Sequence, residues 1–262
     1  MKIEITDQLE RGIAYGEACF ETFRVIDGAC FAWPEHRQRL AIGLSEFAIG
    51  LADDDYRSLH EAAVEAAAAI GCDALVRVTV TGGEAGWGLI NKTESPAAYV
   101  QALPYSGSDA PVSLQLKSWP FPLKQKRAKF SSDYAETLRV LKGLSEINLL
   151  FEQSGQLIAA ATANVVLYRN GQWWTPSAAL GVVPGVIRGR LIAAGVVQEA
   201  ECPAAWLHDC EAVALINSGQ FVRRVGEITD VQCYDVEHDA FKTLMQVLAG
   251  EAGTPKDDGI TS

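Results

Sequence analysis

The segment GQLIAAATANVVLYRNGQWWTP, residues 155–176, decides the fold of the second half of the chain. Asn170-Gly171 is the strongest short-range signal here for a two-residue β-hairpin, because both residues tolerate the positive φ angles that the turn requires. The apolar runs on either side, Val165 to Tyr168 and Gln172 to Trp174, are therefore predicted to be paired strands. Gly155 is predicted to be the turn residue at which the segment begins.

Towards the N-terminus the chain alternates predicted strands and helices. Cys19 to Ile26 is apolar-rich and ends at Asp27-Gly28, a second hairpin signal. Val76, Val78 and Val80 alternate with polar residues, as in a strand with one buried face. The alternation of strands and helices predicts a mixed fold of the α/β (α+β) class.

A stretch rich in Pro, Ser, Gly and Asp interrupts the apolar periodicity near the middle of the chain. We therefore predict an N-terminal α/β domain over 1–104, a linker over 105–111 and a C-terminal domain over 112–250. The remaining residues, 251–262, are polar and glycine-containing and are predicted to be a disordered tail.

The composition narrows the class of function. The 262 residues carry a net charge of −11, which disfavours long-range attraction to nucleic acid or to an anionic membrane. A local arginine cluster can still hold a small phosphate. The charged start and the absence of a long apolar run predict a cytoplasmic protein with no signal peptide. The four histidines never pair at ligand spacing, so no metal site is expected.

Further motifs join the 155–176 segment to form an ordered set across residues 10–225. In order and spacing they resemble the fold-type IV pyridoxal-phosphate family, which includes branched-chain and D-amino-acid aminotransferases and aminodeoxychorismate lyase. The stretches that match are Glu10-Arg11-Gly12, Tyr15-Gly16-Glu17, Cys19-Phe20-Glu21-Thr22, His36-Arg37-Gln38-Arg39-Leu40, Gly82–Gly88, Val183–Arg188 and Ile216–Gly219.

The resemblance implies two domains of the D-amino-acid aminotransferase-like type, with pyridoxal 5'-phosphate between them. It also implies a small amino-acid-like substrate and, as is usual in the family, a homodimer. Arg39 matches the arginine that binds the cofactor phosphate, a role that suits a guanidinium able to donate two hydrogen bonds to one anion. Further cofactor contacts are implied at the start of a predicted helix over 183–194, after the strand near 216 and at a tyrosine that lines the site: Val186, Ile187, Asn217, Ser218 and Tyr134.

Two lysines compete for the position of the catalytic amine, which forms a Schiff base with the cofactor and then moves a proton at the substrate carbon. Lys142 lies 13 residues before Gly155, whereas the family separates the two by roughly twice that distance. Lys129 lies 26 residues before Gly155 and is followed at five residues by Tyr134, as in the aminotransferase pattern. We therefore predict that Lys129 is the catalytic lysine and that Lys142 ends the helix in between.

Two residues depart from the family pattern. Ala159 stands where the family has a glutamate beside the pyridine nitrogen of the cofactor, and an alanine cannot keep that nitrogen protonated. Trp87 stands where lyases and D-amino-acid enzymes often have an arginine for a substrate carboxylate. Trp87 is predicted to stack on a substrate ring or to belong to the core.

The length and the compact N-terminal motif favour a lyase that converts 4-amino-4-deoxychorismate into pyruvate and 4-aminobenzoate, a folate precursor. A branched-chain or D-amino-acid aminotransferase is the first alternative. A degenerate family member with lost or altered cofactor chemistry is the second, because of the departure at Ala159.

Overall fold

The computed structural model describes residues 9–90, 95–144 and 148–252. Within them the chain forms two compact units. Unit 1 lies within Met1–Ser108, Phe121–Ile147 and Ala178–Val186, and unit 2 lies within Asp109–Pro120, Asn148–Ser177 and Ile187–Ser262. The mixed α/β class predicted from the sequence is confirmed.

The units do not follow one cut along the chain. Residues 121–144 and 178–186 group with unit 1, although both ranges lie beyond the predicted linker over 105–111. The domain bounds drawn from the sequence stay a prediction. Of the predicted tail, residues 251 and 252 are the end of the last helix, and 253–262 lie outside the described residues, as do 1–8.

Unit 1 contains a four-stranded antiparallel sheet, in the order β3-β2-β4-β6, and a separate two-stranded ladder of β1 and β5. Short 3-10 turns cover Ser131–Asp133 and Ala178–Leu180. Its strands and helices are β1 (Leu9–Glu10), α1 (Arg11–Tyr15), β2 (Ala18–Ile26), β3 (Ala29–Cys30), α2 (Trp33–Glu46), α3 (Asp53–Ala68), β4 (Ala74–Thr81), β5 (Glu84–Ala85), β6 (Ala97–Pro104) and α4 (Tyr134–Leu141).

The four-stranded sheet has two different faces, because side chains alternate along each strand. Val76, Val78 and Val80 of β4 are fully buried with Phe23 of β2 in one apolar core, against which α2 and α3 pack. Burying each such side chain stabilises the fold by about 1.5–3 kcal/mol. The predicted hairpin at Asp27-Gly28 is confirmed, with φ angles of 49° and 77°.

Unit 2 is a nine-stranded mixed sheet, in the order β12-β11-β10-β13-β14-β7-β8-β9, with β15 paired to β14. A 3-10 turn covers Ala204–His208. Its elements are β7 (Val112–Ser118), β8 (Leu149–Gln153), β9 (Gln156–Ala160), β10 (Asn164–Arg169), β11 (Gln172–Pro176), α5 (Val186–Ala193), β12 (Val197–Ala200), β13 (Ala212–Asn217), β14 (Phe221–Thr229), β15 (Gln232–Cys233) and α6 (Phe241–Ala252).

The hairpin predicted at Asn170-Gly171 is confirmed: β10 and β11 pair across these two residues, which have φ angles of 52° and 76°. The predicted start of the following helix is wrong. The prediction began it at Val183, whereas α5 begins at Val186. A residue before proline avoids the α region, and Pro184 therefore keeps Val183 out of the helix.

None of the helices in the described residues is long and apolar enough to cross a membrane.

Gly43, in the middle of α2, lets the chain around residue 128 lie close to this helix. A Cβ atom built on Gly43 would lie 2.7 Å from the Ala128 Cβ and 2.9 Å from the Cys19 Sγ. The neighbouring backbone is held to β2, where the Phe20 amide donates to the Lys129 carbonyl at 3.1 Å. The close approach at Gly43 therefore fixes the backbone position of Lys129.

We expect Gly43→Ala to overpack this contact, whereas Gly189→Ala, at a helical glycine with open space around it, serves as the control. Replacing glycine with alanine raises helix propensity by a similar amount at both positions. This contribution to the free energy of unfolding therefore cancels when the two variants are compared. Overpacking should leave Gly43→Ala about 1–3 kcal/mol less stable than Gly189→Ala in urea unfolding. Equal stability of the two variants would contradict the tight packing of residue 128 on α2.

Candidate active site

A buried carboxylate joins β2 to α2 in unit 1. Glu21 stands on the helix-covered face of β2 and is 1% exposed. Its Oε1 accepts a hydrogen bond of 2.8 Å from the Arg39 Nε, and its Oε2 accepts one of 2.5 Å from the Arg39 Nη2. The His36 Nδ1 lies 2.6 Å from the same Oε2. One carboxylate therefore holds both functional side chains of the His-x-x-Arg motif.

Arg39 has a third partner, because its Nη1 donates to the Pro184 carbonyl at 2.8 Å. Pro184 comes two residues before the start of α5 at Val186. Three of the five N–H donors of a guanidinium are used in these contacts, which leaves one on each terminal nitrogen. Arg39, predicted as a phosphate ligand, thus retains a pair of donors beside the beginning of a helix.

The surroundings of Glu21 and His36 determine the protonation state of each side chain at neutral pH. Burial alone would raise the pKa of Glu21, but the hydrogen bonds from Arg39 and His36 outweigh it and lower the pKa to about 2. Burial lowers the pKa of His36, so its imidazole is neutral at pH 7 and donates from Nδ1 to the carboxylate. The cluster therefore holds an ionised glutamate, a charged arginine and a neutral histidine.

Lys129 is half-buried on the chain segment that bridges to β2. Its Nζ lies 5.4 Å from the centre of the Phe20 ring. Among the described residues this ammonium has no hydrogen-bond or ion-pair partner. The competing candidate Lys142 is exposed and directly follows the last residue of α4, where its spacing predicted it. The structure thus separates the two lysines by their surroundings.

The environment of Lys129 favours the neutral amine. Burial is the main cause that lowers its pKa, to about 8, and the positive charges of Arg39 and Arg77 lower it further. The carboxylate of Glu21 acts in the opposite direction. An amine with this pKa is about 10% neutral at pH 7, compared with well under 0.1% for an ordinary lysine. It can act as a nucleophile or as a proton acceptor near neutral pH.

Two aromatic rings and a second arginine accompany Lys129. The Phe20 and Tyr134 ring centres lie 5.2 Å apart, and the Arg77 guanidinium carbon lies 3.8 Å from the Phe20 ring centre. Burial raises the pKa of Tyr134, so its hydroxyl stays protonated at neutral pH. This group combines flat apolar surfaces with a cation, which suits a ring-bearing or apolar acid.

The glycine-rich turn after β4 is tied down by Arg11. This arginine pairs with Glu17, and its terminal nitrogens donate to the carbonyl groups of Gly88 and Leu89 at 3.4 Å and 3.1 Å. Trp87, at the tip of the turn, is 95% exposed. The expectation that Trp87 is a core residue is therefore wrong, and its predicted contact with substrate stays a prediction.

Unit 2 carries three of the remaining predicted ligands, Ile187, Asn217 and Ser218, whereas Val186 groups with unit 1. The Asn217 Oδ1 accepts from the amides of Gly219 and Gln220, and its Nδ2 donates to the Thr162 carbonyl. The Asn217 side chain therefore shapes the turn after β13. Ser218 is buried at the apex of this turn, and its hydroxyl has no hydrogen-bond partner among the described residues.

Ile187 and Arg188, which follow Val186 in α5, are anchored within unit 2. Ile187 is buried, and the next residue, Arg188, donates to the Pro176 carbonyl and pairs with Glu199. These contacts fix a helix start, whose first N–H groups have no acceptor within the helix. Ala159 lies half-buried in β9, where its methyl group offers no proton acceptor.

Four residues of unit 1 lie in this cluster although the sequence did not predict them as site residues: Phe20, Glu21, His36 and Arg77. Glu21 stands at an inward position of β2, between Cys19 and Phe23, where an apolar residue is the norm. That charged interruption of an apolar face was a readable signal. Arg77 offered none, because a polar residue between Val76 and Val78 also fits an exposed strand face.

Comparisons with known proteins identify the family and relatives that share the fold. The family Amino-transferase class IV matches residues 18–228 of the chain. No curated relative matches it. A Legionella pneumophila structure provisionally assigned as a 4-amino-4-deoxychorismate lyase is 24% identical, with 96% of each chain covered and a TM-score of 0.80.

Two aminotransferase structures share the fold at lower identity. The Escherichia coli branched-chain amino acid aminotransferase is 20% identical, covers 95% of this chain and 91% of its own, and has a TM-score of 0.78. A hypothetical aminotransferase from Mycobacterium tuberculosis, in a form with α-ketoglutarate and PMP bound, is 19% identical, with coverages of 96% and 93% and a TM-score of 0.76.

The family match spans most of the chain and includes the positions of Arg39, Lys129 and Ser218. The mixed α/β fold and the partner-free lysine agree with it. The protein therefore belongs to the class IV aminotransferases, a family of fold-type IV enzymes whose cofactor is pyridoxal 5'-phosphate.

Proposed function

We propose that the protein is a lyase that converts 4-amino-4-deoxychorismate into 4-aminobenzoate and pyruvate. The observation that carries this proposal is the setting of Lys129. Its amine lies 5.4 Å from the centre of the Phe20 ring, which contacts Tyr134 and Arg77, and its pKa is lowered to about 8. The rings suit a six-membered substrate ring, and the arginine suits the carboxylate that this ring carries.

The residues present fit the cofactor. An amine without a partner at Lys129 and two remaining N–H donors on Arg39 match an aldehyde and a phosphate, respectively. Val186, Ile187 and Ser218 remain predicted phosphate ligands from the family resemblance, because a helix start and a hydroxyl are groups of the kind that bind phosphate. When bound, pyridoxal phosphate withdraws electrons from the substrate carbon that carries the amine.

Lys129 would act on that carbon as the general base. Its neutral amine would accept the proton at the amine-bearing carbon, the bond between the neighbouring carbon and the enolpyruvyl oxygen would break, and the departing enolpyruvate would take up that proton to become pyruvate. Arg77 would hold the ring carboxylate while Phe20 and Tyr134 shield the ring from water. The products contain every atom of the substrate, so no second reactant is required.

Ala159 supports the lyase over transamination. At the position where the family keeps a carboxylate for the pyridine nitrogen, this chain offers only a methyl group. Without that carboxylate the cofactor ring is a weaker electron sink. Loss of pyruvate makes the substrate ring aromatic, and this gain reduces the demand on the cofactor. Transamination has no such compensation.

The proposal extends to the cellular setting. Because the product is a folate precursor, the proposal includes a role in folate biosynthesis, and it includes a cytoplasmic location. We also propose that the protein forms a homodimer. The exposed apolar side chains of Ile13, Trp87, Leu89 and Ile90 in unit 1 support a protein contact, because such clusters usually mark interaction surfaces.

The first test replaces each of the two candidate lysines. We expect Lys129→Ala to abolish the borohydride-sensitive absorbance of the purified protein and to reduce pyruvate release from 4-amino-4-deoxychorismate by about 10²–10⁴-fold, the usual contribution of general acid–base catalysis. Lys142→Ala, at an exposed lysine, should retain both properties.

If the wild-type protein transfers an amino group to 2-oxoglutarate and releases no pyruvate, the protein is an aminotransferase and the lyase proposal is wrong. A wild-type protein that binds no pyridoxal phosphate would identify a degenerate family member.

The second test measures the titration of Lys129. A lowered lysine pKa means that the reactive neutral amine appears above about pH 8 rather than above pH 10. Labelling of the cofactor-free protein with a limiting acylating reagent should therefore show Lys129 modification rising with a midpoint near pH 8 in peptide mass spectrometry. Lys142 provides the exposed comparison, and parallel labelling of the two lysines at every pH would contradict the inferred environment.

The third test concerns substrate recognition by Arg77. We expect Arg77→Met to raise KM for the carboxylate substrate about 10–100-fold, since a charged hydrogen bond contributes about 1.5–3 kcal/mol. Arg24→Met is the matched control, because Arg24 also stacks on a ring, that of Tyr105 at 3.7 Å, but pairs with Asp73 instead. A KM for Arg77→Met equal to that of the control would remove Arg77 from the site.

A further inference from the structure

The contacts of Glu21 serve a purpose beyond stability. A buried ion pair contributes little net stability, because desolvating two charges offsets most of their attraction. Glu21 nevertheless occupies an inward position on β2 that an apolar side chain could fill. Its two oxygens accept hydrogen bonds from two side chains of α2, Arg39 and His36. The arrangement constrains the orientation of the guanidinium more than a single hydrogen bond would.

We propose that Glu21 is a positioning residue that acts through Arg39. By accepting from both Nε and Nη2, the carboxylate fixes the plane of the guanidinium, and the Pro184 carbonyl fixes its remaining rotation. The two unused N–H donors are thereby held in one direction, ready for the cofactor phosphate. This inference rests on the proposed cofactor site.

His36 completes the arrangement from the same helix. Its neutral ring donates from Nδ1 to the Glu21 Oε2, and its buried Nε2 has no partner in the described residues. The histidine adds a hydrogen bond without adding a charge. The carboxylate is therefore held against rotation, and it carries its full negative charge towards Arg39.

Comparison of two ligands isolates the phosphate contribution. Pyridoxal has the same ring and aldehyde as pyridoxal 5'-phosphate but lacks the phosphate. The measured quantity is the Kd of pyridoxal divided by the Kd of pyridoxal 5'-phosphate. Absorbance titration of the full-length cofactor-free protein gives both constants. Their ratio reports the phosphate contacts without any need for turnover. We expect Glu21→Gln to reduce this ratio at least 10-fold, chiefly by weakening binding of the phosphorylated ligand.

A double-mutant cycle separates positioning from general damage. Arg39→Met should reduce the ratio at least as much as Glu21→Gln, and the double variant should show no further loss, because Glu21 acts only through Arg39. Equal weakening of both ligands by Glu21→Gln, or additive effects in the double variant, would overturn the proposal. If Arg39→Met itself leaves the ratio unchanged, the proposed cofactor site fails as well.

Two further variants keep the test decisive if Glu21→Gln folds poorly. Glu21→Asp retains the charge but is too short for the same two-pronged contact, and we expect its ratio to fall several-fold. A wild-type ratio in Glu21→Asp would show that charge alone suffices and would overturn the positioning role. Glu17→Gln disrupts the other buried glutamate–arginine pair of unit 1, with Arg11, and should leave the ratio unchanged.

Discussion

The ion pair between Glu21 and Arg39 is the interaction on which the site in unit 1 depends. It joins a strand to a helix inside the apolar core, where a lone charge would be costly. The carboxylate accepts two hydrogen bonds from the guanidinium, so the strand and the helix are tied together at Glu21 and Arg39. The same guanidinium reaches the Pro184 carbonyl, so the segment before α5 is held to the same cluster.

The charges around Lys129 explain why a lysine is useful there. Arg39 and Arg77 together carry more positive charge than the single carboxylate of Glu21 balances. This excess lowers the affinity of the amine for a proton and raises the affinity of the site for anions. One charge distribution therefore prepares the base and attracts the phosphate and carboxylate groups of its ligands. A lysine without a partner adds no stability, which indicates a functional rather than a structural role.

Local signals in the sequence were reliable where a single residue controls the backbone. Both hairpins formed where Asp27-Gly28 and Asn170-Gly171 predicted them, because few other residues accept positive φ so readily. The start of α5 was misjudged, since helical periodicity across Val183 outweighed the restriction that Pro184 imposes on the preceding residue. Trp87 was misjudged as a core candidate because side-chain character alone does not reveal exposure.

The sequence by itself determined the family and the two hairpins, because motif spacing and turn residues are properties of the chain, and the same spacing predicts Lys129 rather than Lys142 as the catalytic lysine. Only the tertiary structure decided that Glu21 clamps Arg39 and that Arg77 joins the rings near Lys129. Glu21 and Arg39 are 18 positions apart in the chain, and Arg77 and Lys129 are 52 positions apart. Phe20 and Arg77 lie on different strands. Their distances, and the pKa values that follow from them, arise only when packing excludes water and brings the charges together.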